Sequence, residues 1–260
     1  MIAAAWGAAT DRGRVRAVNE DSMVAEPPVF IVADGMGGHA AGDLASRIAI
    51  DEFAVLAGSP RLSVIDALAP VSRANRAILE AAREDRARDG MGTTIAGLVV
   101  VRAAGSEHWM AFNIGDSRVY RLAGNEFHQL TADHSEAEEL VATGVISREE
   151  ARVYRRRHIV TRSLGTEPPP EADCWVFPPE ARERFIVCSD GLTGELADAE
   201  IASLAREIGD PQKLARALVD RSLEAGGRDN ITVIVVDGQP GEDGGAVDED
   251  TRPRSGTVTP

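Results

Sequence analysis

The sequence contains almost no cysteine and no long hydrophobic run. Its two cysteines, Cys174 and Cys188, lack the spacing of zinc ligands, so they support neither a disulfide framework nor a zinc site and favour a reducing cytoplasm. Cys188 lies in an apolar, strand-like segment and is predicted to be a buried thiol. The longest apolar segments, such as 95–101, are too short to cross a bilayer, and the N-terminal residues lack the basic flank of a signal peptide. We therefore predict a cytoplasmic protein without membrane insertion.

Positive charge is also scarce. Lysine and arginine together number 28 against 42 aspartate and glutamate residues, which gives a formal net charge of −14. Because recognition of a nucleic-acid backbone needs a basic surface, this balance argues against a nucleic-acid partner. Acidity alone is common among soluble proteins, so the charge informs about function only if some carboxylates converge.

The order of the predicted elements indicates the fold class. Strand-like segments open the chain, and two amphipathic helices follow between residues 41 and 89. Strands then fill 93–130, a polar helical insert covers 135–157, and strands, two helices and a last strand complete the pattern. Helices segregated from antiparallel strands predict an α+β layered domain and not a βαβ nucleotide-binding fold.

Turn residues divide the strand-rich region 93–130. Gly105, Gly115-Asp116 and Gly124-Asn125 separate its short strands, and each is predicted to form the turn of an antiparallel hairpin. After Asp237 the composition changes to Gly, Glu, Asp, Pro and Thr, which cannot bury apolar surface. We therefore predict a folded domain over 1–238 and a disordered tail or linker over 239–260.

Acidic residues stand at the predicted ends of several strands. Asp34 and Asp190 each follow an apolar strand directly, and each precedes a glycine that lets a backbone carbonyl face the same point. Carboxylate and carbonyl oxygens are the ligands that Mg²⁺ and Mn²⁺ prefer. Two such cations about 3.5–4 Å apart need a shared carboxylate, and Asp34 is the candidate. The other acidic positions of this kind are Glu20, Asp21, Asp116 and Asp229.

Each of these acidic positions has a simpler interpretation when it is taken alone. Asp-Gly is above all a turn dipeptide, and Asp229-Asn230 would equally suit a turn before the last strand. Arg16, just before the first acidic pair, could hold a phosphate group bidentately or could be an exposed arginine of a polar strand. The combination of several acidic sites is what favours a metal centre.

Six short motifs occur in one order along the chain. They are Arg-x-x-Asn-Glu-Asp from Arg16, Asp-Gly-Met-Gly-Gly-His from Asp34, Met-Gly-Thr-Thr from Met91, Gly-Asp-Ser-Arg from Gly115, Ser-Asp-Gly-Leu from Ser189 and Gly-Gly-x-Asp-Asn-Ile-Thr from Gly226. The set resembles the type 2C protein phosphatases, the PPM family, and especially its bacterial members. The resemblance covers residues 5–237.

The resemblance implies a four-layer α-β-β-α sandwich of two antiparallel sheets flanked by helix pairs. It also implies a Mn²⁺- or Mg²⁺-dependent phosphatase of phosphoserine and phosphothreonine, in which a hydroxide that bridges two core metals attacks phosphorus. Asp34 would bridge the metals and Gly35 would offer its carbonyl. The remaining positions that match metal ligands are Asp190 and Asp229 for the first metal and Glu20 and Asp21 for the second, directly or through water. Asp116, together with Asp190, would support a third, weaker one. Arg16 would bind the substrate phosphate.

The general acid stays unassigned at this point. Animal-type members carry a histidine directly after the Asp-Gly pair, whereas this chain has Met36 there. His39 lies nearby, and His134 and His158 belong to the segment 133–165, which resembles the mobile flap of the family. Any of these three, or a metal-bound water, could supply the proton. The basic run 155–157 would either attract acidic phosphosegments or form a solvated helix end.

The expected partners follow from the resemblance. They are phosphorylated proteins, including a bacterial Ser/Thr kinase or its substrates, and the enzyme is expected to be a monomer. Three alternatives remain open: a phosphatase of anti-anti-sigma-type switch proteins, a non-catalytic regulatory member of the fold, and a plain cation-binding protein. A non-catalytic member would be expected to lack a core metal aspartate, and none is missing here.

Overall fold

A computed structural model describes residues 2–37 and 41–240 of the chain. The strands are β1 (Ile2–Asp11), β2 (Asp21–Glu26), β3 (Val29–Met36), β4 (Gly92–Thr93), β5 (Ile95–Ala103), β6 (Ser106–Ile114), β7 (Arg118–Ala123), β8 (Glu126–Gln129), β9 (Asp173–Phe177), β10 (Glu183–Cys188) and β11 (Ile231–Pro240). The helices are α1 (Gly42–Ala54), α2 (Val64–Glu84), α3 (Glu136–Ala142), α4 (Arg148–Val153), α5 (Asp190–Thr193), α6 (Asp198–Glu207) and α7 (Pro211–Ala225). His39 and most of the predicted tail lie outside the described residues.

The strands form two antiparallel sheets. The first sheet has the order β1-β11-β10-β7-β8, and the second has the order β2-β3-β5-β6-β9, with the short β4 paired to the end of β3. Successive side chains of a strand point to opposite faces, so each sheet contributes to two separate cores. In β3, for example, Phe30 and Val32 pack between the sheets, whereas Val29 and Ile31 pack toward helices.

Helices cover the outer face of each sheet. Buried side chains of α1 and α2, such as Phe53 and Ile78, pack on the second sheet. Those of α6 and α7, such as Ile201 and Leu218, pack on the first. The layers are therefore helix, sheet, sheet and helix, and the predicted α-β-β-α sandwich is confirmed. Among the described residues, no helix is both long and apolar enough to span a membrane.

Two local predictions were wrong. Gly115-Asp116 does not turn a hairpin, because β6 pairs with β5 and β9 while β7 pairs with β8 and β10, so the chain crosses here from one sheet to the other. Asp34 does not end its strand, since β3 continues to Met36 through its pairing with β4. Both positions look alike in sequence because an Asp-Gly or Gly-Asp pair suits a hairpin, a crossing and a strand end equally well.

The polar insert contains two short helices in place of one. Gly144, with φ of +72°, follows α3, and Ser147 starts α4 with a capping box in which its side chain and that of Glu150 exchange hydrogen bonds with each other's backbone. Ser135 and Val160 bridge the two ends of the insert. The segment 133–165, which we call the flap, therefore begins and ends at the same place on the body.

Candidate active site

Six acidic side chains line one cavity of about 540 Å³, and one of them, Glu195, pairs with Arg228 at 2.8 Å. The other five come from distant segments and stand at predicted metal-ligand positions. Two lie in or beside the second sheet, one at the crossing between sheets, and two at the edge of the first sheet. They are Glu20, Asp34, Asp116, Asp190 and Asp229, and we call them the acidic cradle. The sequence-predicted Arg16 and Gly35 line the same cavity. The structure therefore brings together all of the predicted metal and phosphate residues that it describes, with the exception of Asp21.

Asp21 lies behind the cavity and does not line it. It is 9% exposed, is the cross-strand partner of Asp34, and accepts a hydrogen bond on Oδ2 from the hydroxyl of Ser189 at 2.8 Å. Its Oδ1 is buried and has no hydrogen-bond partner within the protein. An orphaned carboxylate oxygen this close to Asp34 suits an additional group, such as a water of a metal's hydration shell. Glu20, its neighbour in sequence, faces the cavity instead.

The cradle carboxylates disfavour each other's charge. Burial raises the pKa of Asp34 well above its ordinary value, and the neighbouring charges of Asp21, Asp190 and Asp116 raise it further. Burial and the charge of Asp190 likewise raise the pKa of Asp116, and burial raises the pKa of Glu20. Several carboxylates in a poorly solvated space are stabilised as anions by bound cations. The donor set, all oxygen, fits Mg²⁺ or Mn²⁺.

The carboxylates converge without forming a closed cage. In the ranges 2–37 and 41–240, no three Asp, Glu, His or Cys side chains come together tightly enough to constitute a ready-made metal site. Assignment of individual ligands to individual metals is therefore a proposal, which rests on the shared cavity and on the chemistry of its lining.

Two glycines let backbone segments approach within the cradle. A Cβ on Gly35 would lie 2.1 Å from the carbonyl oxygen of Gly42, and a Cβ on Gly191 would lie 1.9 Å from that of Asn230. No side chain tolerates such contacts. The glycine after each metal-ligand candidate, Asp34 and Asp190, is thus required for close packing of the segments that carry the cradle.

Arg16 lies on the loop between β1 and β2. Its guanidinium donates a hydrogen bond from Nη2 to Oδ2 of Asp229 at 2.7 Å, and this bond is the main reason that the pKa of Arg16 is raised. The side chain is 49% exposed, and it lines the cavity. An arginine has five N–H donors in a planar fork, so most remain available for phosphate oxygens.

Polar residues that sequence reasoning did not single out hold the cradle together. Asn230 accepts a hydrogen bond from the backbone N–H of Glu20 and donates to the carbonyls of Arg12 and Val18, which fixes the loop carrying Arg16. Thr94 accepts from the backbone N–H of Asp34 on its hydroxyl.

Thr94 also links two of the motifs, since its hydroxyl bonds that of Ser117 at 2.7 Å. The signal for these residues was present, because Asn230, Thr94, Ser117 and Ser189 all belong to the six motifs. Residue type and spacing alone did not identify these four residues as part of the site.

The histidines differ in their relation to the cavity. His158 of the flap lines it, with Nδ1 3.8 Å from Oδ2 of Asp190, and Arg157 beside it lines it too. His134 does not line the cavity and is 7% exposed. Its position does not suit a donor of a proton to substrate. His39 lies outside the described residues.

Comparisons with known proteins agree with this geometry. A sequence profile described as "Protein phosphatase 2C" matches residues 14–224. The chain belongs to the protein phosphatase 2C family. The serine/threonine phosphatase stp of Listeria welshimeri is 35% identical over 239 residues, which cover 88% of this chain and 93% of that one. The serine/threonine protein phosphatase PstP of Mycobacterium tuberculosis is 37% identical over 238 residues, which cover 89% of this chain and 44% of that one.

Solved structures of the family show the same fold. The crystal structure of the Mycobacterium tuberculosis phosphatase PstP/Ppp has a TM-score of 0.83 and 34% identity to this chain, and the match covers 92% of this chain and 100% of that one. The catalytic domain of PstP in complex with two manganese ions has a TM-score of 0.82, with 34% identity, 92% of this chain and 100% of that one covered. The predicted family, fold and phosphatase activity are thereby confirmed.

Proposed function

We propose that this protein phosphatase 2C member uses two Mn²⁺ or Mg²⁺ ions to hydrolyse phosphoserine and phosphothreonine in proteins. The observation that carries the proposal is the convergence of five carboxylates from distant segments on one cavity, with a half-exposed arginine at its side. The named activities of the relatives and the two manganese ions of the PstP structure support it.

Different cradle residues would bind different cations. Asp34, whose charge is opposed by those of the neighbouring aspartates, would be shared between the two ions. The carbonyl of Gly35 would add a neutral oxygen. Asp190 and Asp229 would complete one ion, Glu20 would serve the other, and Asp116 would hold a third, weaker one. Asp21, held by Ser189 behind the cavity, would act through a water. Bound divalent ions supply Lewis-acid activation of water and neutralise phosphate charge.

Arg16 would bind the phosphate group of the substrate. Its bond to Asp229 holds the guanidinium next to the cradle, so a phosphate bound by Arg16 would share the cavity that the cradle lines. His158 and Arg157 approach the same cavity from the flap and would face the protein part of the substrate.

The substrates would be proteins phosphorylated by bacterial Ser/Thr kinases, with the enzyme acting as a monomer in the cytoplasm. Two free cysteines, one of them exposed, support a reducing compartment. Anti-anti-sigma-type proteins remain a narrower class of the same substrate chemistry.

The deciding experiment measures release of phosphate from a phosphothreonine peptide with and without Mn²⁺. We expect Asp34→Asn to lower kcat by more than about 100-fold, which exceeds the loss for an outer partner of a metal ligand. Excess EDTA should abolish turnover. Asp51→Asn, an exposed aspartate on α1 that does not line the cavity, is the matched control and should behave like the wild type. Unchanged turnover in Asp34→Asn, or in EDTA, would overturn the proposed mechanism.

A further inference from the structure

His134 forms two hydrogen bonds with Gly115, which lies where the chain crosses between the two sheets. The Nδ1 atom of its ring accepts a hydrogen bond from the backbone N–H of Gly115 at 3.0 Å. Its own backbone N–H donates to the carbonyl of Gly115 at 2.8 Å. Asn113 donates to the same carbonyl from Nδ2 at 3.1 Å. Both polar groups of Gly115 are therefore fixed, directly before the cradle residue Asp116.

The crossing needs this external support. Gly115 has φ of +108°, and a Cβ there would lie 2.6 Å from the side chain of Thr94, so the backbone is both unusual and tightly enclosed. Residues 115–117 lie between β6 and β7 and belong to neither strand, so no ladder partner determines their path. Without the imidazole, the Gly115 N–H would be a buried donor with no acceptor.

The hydrogen bonds also define the state of the imidazole. Since Nδ1 accepts, the neutral ring carries its proton on Nε2, which lies 3.2 Å from Oδ2 of Asp173. Burial lowers the pKa of His134, which agrees with a neutral ring. Both nitrogens are thus engaged, one toward the cradle and the other toward Asp173, which also accepts from Arg162 at 2.7 Å.

We propose that His134 is a positioning residue: its Nδ1 holds the Gly115–Asp116 backbone so that the Asp116 carboxylate faces the metal-binding cavity. The inference rests on the proposed function, because it assumes that the cradle binds divalent cations. It assigns to a histidine outside the cavity a role in metal affinity and not in proton transfer. The backbone carbonyl of His134, which accepts from the backbone N–H of Thr161, ties the same residue to the end of the flap, and Nε2 ties it to Asp173 of β9.

Two substitutions distinguish the contributions of the two ring nitrogens of His134. In His134→Asn the side-chain oxygen can take the place of Nδ1 and accept from Gly115, whereas in His134→Gln the amide can take the place of Nε2 and donate to Asp173. Mn²⁺ binding is measured by titration calorimetry on the full chain, beginning from protein stripped with EDTA. We expect His134→Gln to weaken the weakest Mn²⁺ site about 10-fold, as loss of an outer partner does, and His134→Asn to stay close to the wild type.

A double-mutant cycle with Asp116→Asn tests whether the effect passes through Asp116. If His134 acts by positioning that carboxylate, the double variant should bind Mn²⁺ no more weakly than Asp116→Asn alone. Additive losses, or equal losses in His134→Asn and His134→Gln, would overturn the inference. So would a His134→Gln isotherm identical to the wild type. The thermal midpoint in EDTA is recorded for each variant to confirm folding.

Asp173→Asn keeps the test decisive if His134→Gln does not fold. It leaves both ring nitrogens in place and removes only the charge beyond Nε2, so Mn²⁺ binding should remain close to the wild type. A loss equal to that of Asp116→Asn would assign the effect to Asp173 and its pairing with Arg162, and would overturn the inference. If the wild type itself binds no Mn²⁺, the proposed function fails, and the inference, which rests on it, is overturned with it.

Discussion

The acidic cradle and the flap are both rich in carboxylates, yet they hold them in opposite ways. In the cradle, burial raises the pKa of Asp34 and Asp116, and Arg16 pairs with one cradle carboxylate, that of Asp229. In the flap, Glu136 and Glu138 pair with arginines at 2.7 and 3.0 Å on partly exposed surfaces. The flap carries its own counter-charges, whereas the cradle leaves its charge to be balanced by bound cations. Burial and pairing, and not residue type, separate a metal centre from a solvated surface.

The two regions also differ in how their backbone is held. Cradle residues lie in or beside long strands and are packed so closely that glycine is obligatory at positions 35 and 191. The flap helices α3 and α4 have seven and six residues and are stabilised by local caps at Ser135 and Ser147. We therefore expect changes in the cradle to act strongly on catalysis and changes in the flap to act weakly on stability.

Among the changes that test this comparison, the largest effect is expected for Gly191→Ala. The added Cβ would lie 1.9 Å from the Asn230 carbonyl, which must move together with the loop that Asn230 holds. A misplacement of about 1 Å in a catalytic site can cost about 100-fold in rate, so we expect a loss of that order in kcat with a phosphothreonine peptide. Gly209→Ala is the matched control, since nothing lies within 4 Å of its added Cβ. Similar activity in the two variants would show that close packing at Gly191 does not position the cradle.

A smaller, pH-dependent effect is expected for Asp21→Asn in metal-free protein. Burial raises the pKa of Asp21 to about 7, against about 3.9 in an unfolded chain. The folded state therefore binds more protons between these values, and the free energy of unfolding falls as the pH rises through that window. Asp21→Asn removes this loss. Its gain in thermal midpoint over the wild type, measured in EDTA, should be absent at about pH 4, grow up to about pH 7 and then stay constant.

In the flap, the pKa of a carboxyl is shifted in the opposite direction, so its effect on stability with pH has the opposite sign. Hydrogen bonds from the backbone and hydroxyl of Ser147 lower the pKa of Glu150, an exposed residue of α4. Its contribution to stability is present above the unfolded pKa and disappears as the pH falls through the folded one. Glu150→Gln should therefore cost stability at neutral pH and nothing in acid. A pH profile of Asp21→Asn with the same sign as that of Glu150→Gln would contradict the assignment of Asp21 as a carboxyl penalised by burial.

Sequence patterns predicted the layers well because burial leaves a periodic trace. The apolar run 185–188 forms β10, and the helical spacing after Ala41 forms α1. Sequence patterns did not predict strand pairing correctly where the paired strands are distant in sequence. A Gly-Asp pair between two strands has the same local chemistry whether the strands share a sheet or not. The local sequence therefore predicts a hairpin at Gly115, where the chain in fact crosses between the sheets.

The candidate active site likewise has residues that the sequence identifies and features that it does not reveal. The motifs and the family resemblance selected the cradle residues among 42 acidic ones, which composition could not do. Glu20 and Asp21 were treated as equivalent, yet adjacent residues of an extended chain point to opposite sides, and only Glu20 reaches the cavity. His134 appeared as a possible acid, because nothing in its sequence context shows that both ring nitrogens are engaged.

The smallest effect is expected for Arg148→Ala in the flap. Arg148 reaches Glu138 at 3.0 Å, but its side chain is 76% exposed, so water and salt screen the pair. A double-mutant cycle with Glu138→Ala should give a coupling of about 0.5 kcal/mol or less, and the coupling should shrink further as NaCl is added. Turnover of p-nitrophenyl phosphate should not change, because neither side chain lines the cavity that holds the cradle. A coupling well above about 1 kcal/mol would mean that the flap is held by its charges as firmly as the cradle is held by its packing.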